Sequence, residues 1–231
     1  MSSESKKNAI DLINELIFDL ESKIGHLPKE TTHRQDERKR ELQRKDVKDN
    51  CRAEATNDLD VLPNICKLEI KVGKIVKLWA HPESDKLYCE EIDVGEDLPR
   101  PIVSGLRAHY ATEDLLLGKK VLVVTNLKPK KLAGVISNGM VLCVVSDGDE
   151  VVELLEPPDD APVGEVVHFQ GLPSPSPYTA SQIDKKKIFQ ACVADMKTTT
   201  HDGSAVWKEH AFLTTAGLCK SKSCIQGGAI R

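Results

Sequence analysis

Aromatic side chains make up only 4% of the 231 residues, with two Trp, three Tyr and four Phe. That scarcity leaves little material for a nucleic-acid platform built on ranks of stacked bases. Long apolar runs are missing too. The longest is Met140–Val145, far short of the roughly 20 residues that a membrane-spanning helix requires. The seven cysteines, at 51, 66, 89, 143, 192, 219 and 224, form no CxxC pair, and the tightest interval, Cys219 to Cys224, has no histidine pair beside it. Metal binding and a disulfide framework are therefore poor readings. An odd cysteine count with no N-x-S/T sequon fits a reducing compartment in which the thiols serve as small hydrophobes.

Catalytic signatures are absent as well: the chain contains no GxGxxG, GxxxxGK[ST], HExxH or GxSxG. His81, His109 and His168 fall in separate turns or strands, with no Ser or Cys nucleophile placed beside them. Glu90, Glu91 and Asp93 alternate along one expected strand, as carboxylates on a solvated sheet face commonly do. The sequence argues against an enzyme and calls for neither metal nor cofactor. The opening Met1-Ser2-Ser3-Glu4-Ser5-Lys6-Lys7 leads into Asp11, Glu15, Asp19 and Glu21, acids that a secretory or organellar presequence avoids. A cytoplasmic location without a membrane partner is the expectation.

Net charge is only −4, which excludes a uniformly basic nucleic-acid binder. The total hides a division. Residues 1–65 carry 12 Lys/Arg against 14 Asp/Glu, residues 66–169 carry 12 against 18, and residues 170–231 carry 8 against 4. Any polyanion site must then be a local basic face that dominates within about one Debye length, roughly 8 Å.

What is present falls into three stretches: an N-terminal helix and charged tether over 1–62, a strand-rich domain over 63–170, and a smaller basic module over 171–231. Ile10, Ile13, Ile17, Leu20 and Ile24 alternate by three and four residues, predicting an amphipathic helix with Asn8 as N-cap and Gly25 then Pro28 as its stop. About 17 residues of helix are marginal alone in water, so the stripe should need a partner, whether another protein, a second copy or the chain's own globular body. Beyond Leu62-Pro63, Val, Ile and Leu recur in segments predicted as strands at 67–78, 86–94, 100–104, 120–127, 139–146, 151–155 and 165–169. Thr112–Leu117 predicts a short helix with a Thr N-cap and acids in its first turn. Short strands with one helix between the third and fourth suggest a Greek-key barrel of OB type, although another barrel or a sandwich shares the pattern. Pro173, Pro175 and Pro177 stiffen the passage to the last module, where Phe189, Trp207, Phe212 and Leu213 carry more apolar area than a loose tail would.

A concentrated cationic loop is Lys128-Pro129-Lys130-Lys131, preceded by Lys119-Lys120 and succeeded by Ser137-Asn138-Gly139-Met140, which could hydrogen-bond phosphate or sugar. Taken alone it is equally a solvated hairpin tip.

Four motifs in order, His81-Pro82-Glu83-Ser84-Asp85-Lys86-Leu87-Tyr88, Ile102-Val103-Ser104-Gly105-Leu106, Asn126-Leu127-Lys128-Pro129 and Ser137-Asn138-Gly139-Met140, resemble the tRNA-binding domain family. The likeness runs on through Val152–Pro158 and Lys185-Lys186-Lys187-Ile188-Phe189, as in the long form found in endothelial monocyte-activating polypeptide II and the C-terminal domain of animal tyrosyl-tRNA synthetase. The resemblance implies a mainly β, OB-fold Greek-key barrel with a small C-terminal extension module packed on it, joined to the N-terminal helical segment. It implies a monomeric unit that grips folded tRNA by shape and backbone, since RNA helices present phosphates and 2′-hydroxyls and hide their base edges. The expected tRNA-binding residues are Lys86, Arg107, Lys119, Lys120, Asn126, Lys128, Lys130, Lys131, Ser137 and Met140. The family commonly has a basic residue where this chain has Ala133. The function implied is that of an aminoacyl-tRNA synthetase cofactor in protein biosynthesis, within a multisynthetase complex, with Ile10, Ile13, Ile17, Leu20 and Ile24 docking the synthetase. The family also contains cytokine-like members, so a secreted signalling protein is the rival reading, with Lys71–Lys77 the segment that resembles theirs.

Overall fold

The computed structural model describes residues 62–146, 148 and 151–231, and the expected N-terminal helix with its stripe lies outside them. Strand β1 (Ile70–Ala80) is the longest element and pairs on two sides. Its first half, Ile70 to Lys74, lies antiparallel to β4 (Lys120–Val124), and its second half, Lys74 to Ala80, to β2 (Tyr88–Asp93). A register irregularity between Ile75 and Lys77 lets the strand bend from one neighbour to the other. Gly73, two residues before the bend, is packed so closely that a Cβ would stand 2.7 Å from Ile92 Cγ2. β3 (Arg100–Ser104) completes that side against β2. The hairpin of β5 (Lys130–Leu132) and β6 (Val135–Ser137) then leads into β7 (Met140–Val141), which pairs with β4.

Leu142 interrupts the run expected over 139–146. Its N–H bonds to Leu122 O on one side, while its carbonyl accepts from Leu155 N on the other, so the chain turns from β4 toward β9 (Val152–Glu156) through β8 (Cys143–Val145). The segment 164–167 returns along the first half of β1, through Gly164 N to Val72 O and Val167 N to Ile70 O, both 2.8 Å. These connections give a mainly β, nearly closed barrel of OB type.

Several boundaries move from the sequence reading. Residues 64–67 form a 3-10 turn before β1, and β4 stops at Val124, because Asn126 turns its side chain to other segments. Of the last expected strand, His168–Phe169 (β10) pairs in a sheet, while Val166 makes an isolated bridge to Lys71 of β1. The helix expected at Thr112–Leu117 is a 3-10 turn, Glu113–Leu115; Thr112 has an extended backbone there, but its side chain caps no N–H.

After Tyr178 come α1 (Ala180–Lys185), opened by a Thr179–Gln182 capping box, and α2 (Ile188–Val193). A second set of strands completes the chain: β11 (Met196–Thr198), β12 (Ala205–Trp207), β13 (His210–Thr214), β14 (Gly217–Leu218), β15 (Lys220–Ser221) and β16 (Ala229–Ile230). β16 inserts between β11 and β8, β10 pairs with β13, and β15 pairs with β9, so this region is sewn into the barrel's own strands.

Cover on both faces explains why β4 reads Val-Leu-Val-Val without polar alternation. Val121 and Val123 face the barrel interior with Ile75, Ile92 and Leu154, while Leu122 and Val124 face a second core with Phe169, Trp207 and Phe212. Phe169 and Phe212 meet edge to face at 5.0 Å. Burying each such side chain contributes about 1.5–3 kcal/mol, enough to fasten the extension to the barrel. No helix among the described residues is long and apolar enough to cross a membrane.

Candidate nucleic-acid interface

The cationic segment begins at a clasp. Asn126 Oδ1 accepts from Glu69 N at 2.9 Å, and its Nδ2 donates to Lys67 O and Tyr178 O, both at 3.0 Å. The amide therefore pins the end of β4 to the start of β1 and to the extension, and so fixes where the lysine segment leaves the barrel. Leu127 is half-buried against the second core, and Lys128, Pro129, Lys130 and Lys131 emerge exposed. Lys128 Nζ meets Asp184 of α1, whose carboxyl is held below its ordinary range by that hydrogen bond and by the charges of Lys128 and Lys187. Lys130 and Lys131 have no ion-pair partner among the described residues. They stand in succession on β5, so they point to opposite faces of the hairpin.

The hairpin's return is braced from within. Ser137 is buried; its Oγ accepts from Val103 N and donates to Gly139 O, each at 3.0 Å, which holds β6 to β3. Arg100 adds a second brace that sequence reasoning missed. Its Nη1 donates to Thr125 O (2.7 Å) and Asn138 O (3.0 Å), and Glu96 grips the same guanidinium through both carboxylate oxygens at 2.7 Å. A lone arginine at a strand start carries no motif, so only the fold exposes this role. Met140 is half-buried against the second core beside the hairpin's base.

Lys86 lies on the β1–β2 loop, which Arg107 reaches from the 3-10 turn Leu106–Ala108 that follows β3. Lys86 is exposed, while Arg107 donates to Ser84 O at 3.1 Å and lies 3.6 Å from Asp85. His81 is buried under this loop, its Nδ1 accepting from Glu83 N at 3.1 Å. The hairpin tip approaches the same loop, since Glu83 Oε2 stands 3.7 Å from where a Cβ on Gly134 would be. Lys119 and Lys120 are placed elsewhere, at the opposite end of β4 and so about 16 Å away. Lys119 pairs with Glu156 at 3.5 Å, and Lys120 Nζ donates to Asp159 O and Ala161 O at 2.5 and 2.7 Å. In their stead the fold brings up Lys185, Lys186 and Lys187, which come directly after Asp184 and are exposed. Lys186 lies over the Tyr178 ring at 5.5 Å, with Lys67 at 5.4 Å from the same ring.

Between the hairpin and α1–α2 runs an open groove of about 880 Å³. The arrangement offers exposed cations on a braced β-hairpin and helix end, with few free acids beside them, which suits electrostatic capture of a phosphate backbone. Nucleophilic chemistry is poorly served: burial pushes the thiols of Cys143, Cys192 and Cys219 up to about 12.

Comparison with known proteins identifies the family. Residues 70–166 match the family model described as "Putative tRNA binding domain". The chain is 39% identical over 178 residues to the cytoplasmic tyrosine–tRNA ligase of Danio rerio, covering 77% of this chain and 32% of that one. It is 33% identical over 166 residues to the aminoacyl tRNA synthase complex-interacting multifunctional protein 1 of Cricetulus griseus, covering 71% and 45%. The chain thus spans about a third of the length of the ligase it matches. The crystal structure of the C-terminal domain of Plasmodium vivax p43 superposes with a TM-score of 0.67 at 37% identity, covering 74% of this chain and all of that one.

Proposed function

Because the chain belongs to the tRNA-binding domain family, we propose that it is a non-catalytic tRNA-binding protein of the cytoplasm that assists aminoacyl-tRNA synthetases in trans. The observation that carries this reading is the exposed Lys128-Pro129-Lys130-Lys131 hairpin, braced by Asn126, Ser137 and Arg100, on an otherwise acidic barrel. Cations carried on a braced hairpin meet phosphates at low entropic cost, which favours recognition by backbone and shape.

The tRNA-binding unit acts as a monomer, with the extension covering the second core that the barrel strands would otherwise expose. Residues 8–27 would supply the synthetase contact through Ile10, Ile13, Ile17, Leu20 and Ile24. A general tRNA site tethered beside a synthetase makes capture of the acceptor end intramolecular, a gain of about 10²–10⁴ in apparent affinity. Deleting residues 1–60 should leave affinity for free tRNA within about threefold, under roughly 0.7 kcal/mol, while abolishing copurification with synthetases. A truncated protein that kept its cytosolic partners and lost tRNA would reverse this division of labour.

A further inference from the structure

The groove beside the hairpin has a composition that phosphate capture alone does not require. Its walls are apolar: Val103, Leu127, Leu132 and Met140 on the barrel side, Ile183 and Phe189 on the helix side. Its charged lining is the Lys128–Asp184 pair together with Lys130 and Arg231. Phe189 of α2 is half-buried and packs against the second core, which limits the freedom of its ring before any ligand arrives. Gln190 and His109 also line the groove, and neither side chain makes a hydrogen bond among the described residues. Apolar walls, one half-buried ring, two free polar groups and a cationic rim form the combination that holds a flat heteroaromatic ring attached to an anion.

We propose that this groove receives an unpaired nucleotide of the bound RNA, its base against Phe189 with Gln190 and His109 at its edge, and its phosphate at Lys130. The proposal rests on the tRNA-binding reading above and adds to it a base subsite built jointly by barrel and extension. An apolar peptide would match the walls but would leave Lys130 without a counterpart. A phosphate alone would leave the walls unused. One ring is enough for one base, so the paucity of aromatics elsewhere is no obstacle.

The test compares wild type with Phe189→Leu, which keeps apolar volume and removes the ring, and with Gln190→Ala, an exposed substitution that keeps the experiment decisive if the first variant does not fold. Phe189→Leu should weaken tRNA binding about 5- to 50-fold, and Gln190→Ala about 3- to 10-fold, both with the salt dependence unchanged. A short single-stranded RNA carrying 2-aminopurine should lose fluorescence on binding wild type and less on binding Phe189→Leu. Affinity within twofold of wild type for both variants, with a normal salt slope, would overturn the base subsite and leave the tRNA reading standing. A fall in salt slope with Phe189→Leu would assign the residue to phosphate positioning and overturn it too, as would an apolar peptide that occupies the groove and is not displaced by tRNA. Wild type without salt-dependent tRNA binding would remove the tRNA reading itself, and the subsite with it.

Discussion

Lys128 Nζ lies 2.8 Å from Asp184 Oδ2, which joins the cationic segment leaving the barrel to the first helix of the C-terminal region across 56 residues of sequence. Both side chains are about half exposed, so the pair is an exchangeable contact. A phosphate arriving at Lys128 competes with the carboxylate. Asp184→Asn should therefore tighten tRNA binding about two- to fivefold at low salt, measured by filter binding. Weaker binding by that variant would mean that Asp184 instead holds Lys128 in its productive position.

Replacing Lys128, Lys130 and Lys131 together by Ala should flatten the plot of log affinity against log salt by about two, at roughly 0.7–0.9 per lost phosphate contact. Lys119→Ala should change that slope little, because Lys119 already faces Glu156 at the far end of β4. Equal effects from the two ends would spread the interface over the whole barrel.

Ala133 adopts φ 42 and Gly134 φ 93 at the tip of the β5–β6 hairpin. Two consecutive positive φ values define a tight turn that prefers Asn-Gly, and Ala is strained in the first position. Ala133→Asn should stabilise the protein by about 0.5–1 kcal/mol in urea denaturation, with tRNA affinity nearly unchanged. A loss of stability would show that the hairpin is not held in this conformation.

Asn126→Ala takes the acceptor from the Glu69 N–H and one donor each from the Lys67 and Tyr178 carbonyls, of which Lys67 O keeps the Tyr178 N–H at 2.9 Å. The expected cost is about 2–3 kcal/mol. The variant should still bind tRNA with the wild-type salt slope wherever it remains folded. A stable variant with about tenfold weaker tRNA binding at that same slope would instead make Asn126 a direct RNA contact, since a neutral amide releases no counterion.

Glu90 is fully buried in the barrel, accepts a hydrogen bond from Ser104 Oγ and has an Oε2 with no partner. Burial raises its pKa from 4.5 to about 7, against the lowering effect of that bond. Between these values the native state keeps a proton that the unfolded chain has lost, so stability falls as pH rises through the window and levels off above it. The decline is about 3 kcal/mol at about 1.4 kcal/mol per pH unit. Glu90→Gln should match wild type near pH 4.5 and exceed it above pH 7 in denaturant titrations. Parallel curves for the two proteins would refute the raised value.

Hydropathy patterning placed most barrel strands, since Val, Ile and Leu segments bounded by Gly and Pro leave few alternatives. It did not show that β4 is covered on both faces, because an unbroken apolar run is equally a buried strand or a piece of helix. It also missed the short strands from Met196 to Ile230, whose pairing depends on partners far away in sequence, such as Val144 and Val145 for β16. Within the site, charge density singled out Lys128, Lys130 and Lys131, and those side chains are exposed together. Ser137 and Asn126 are drawn by motif to the RNA-facing group, yet their hydrogen bonds are directed inward.

Local composition was thus sufficient for the class of fold and the location of the basic segment, because strand propensity, turn residues and charge are carried by neighbours along the chain. The commitment of each cation was settled in three dimensions. Lys120 and Lys130 are equivalent as letters, yet one is bound to the carbonyls of Asp159 and Ala161 and the other faces solvent, since only the packed fold decides which carbonyls and carboxylates lie within reach.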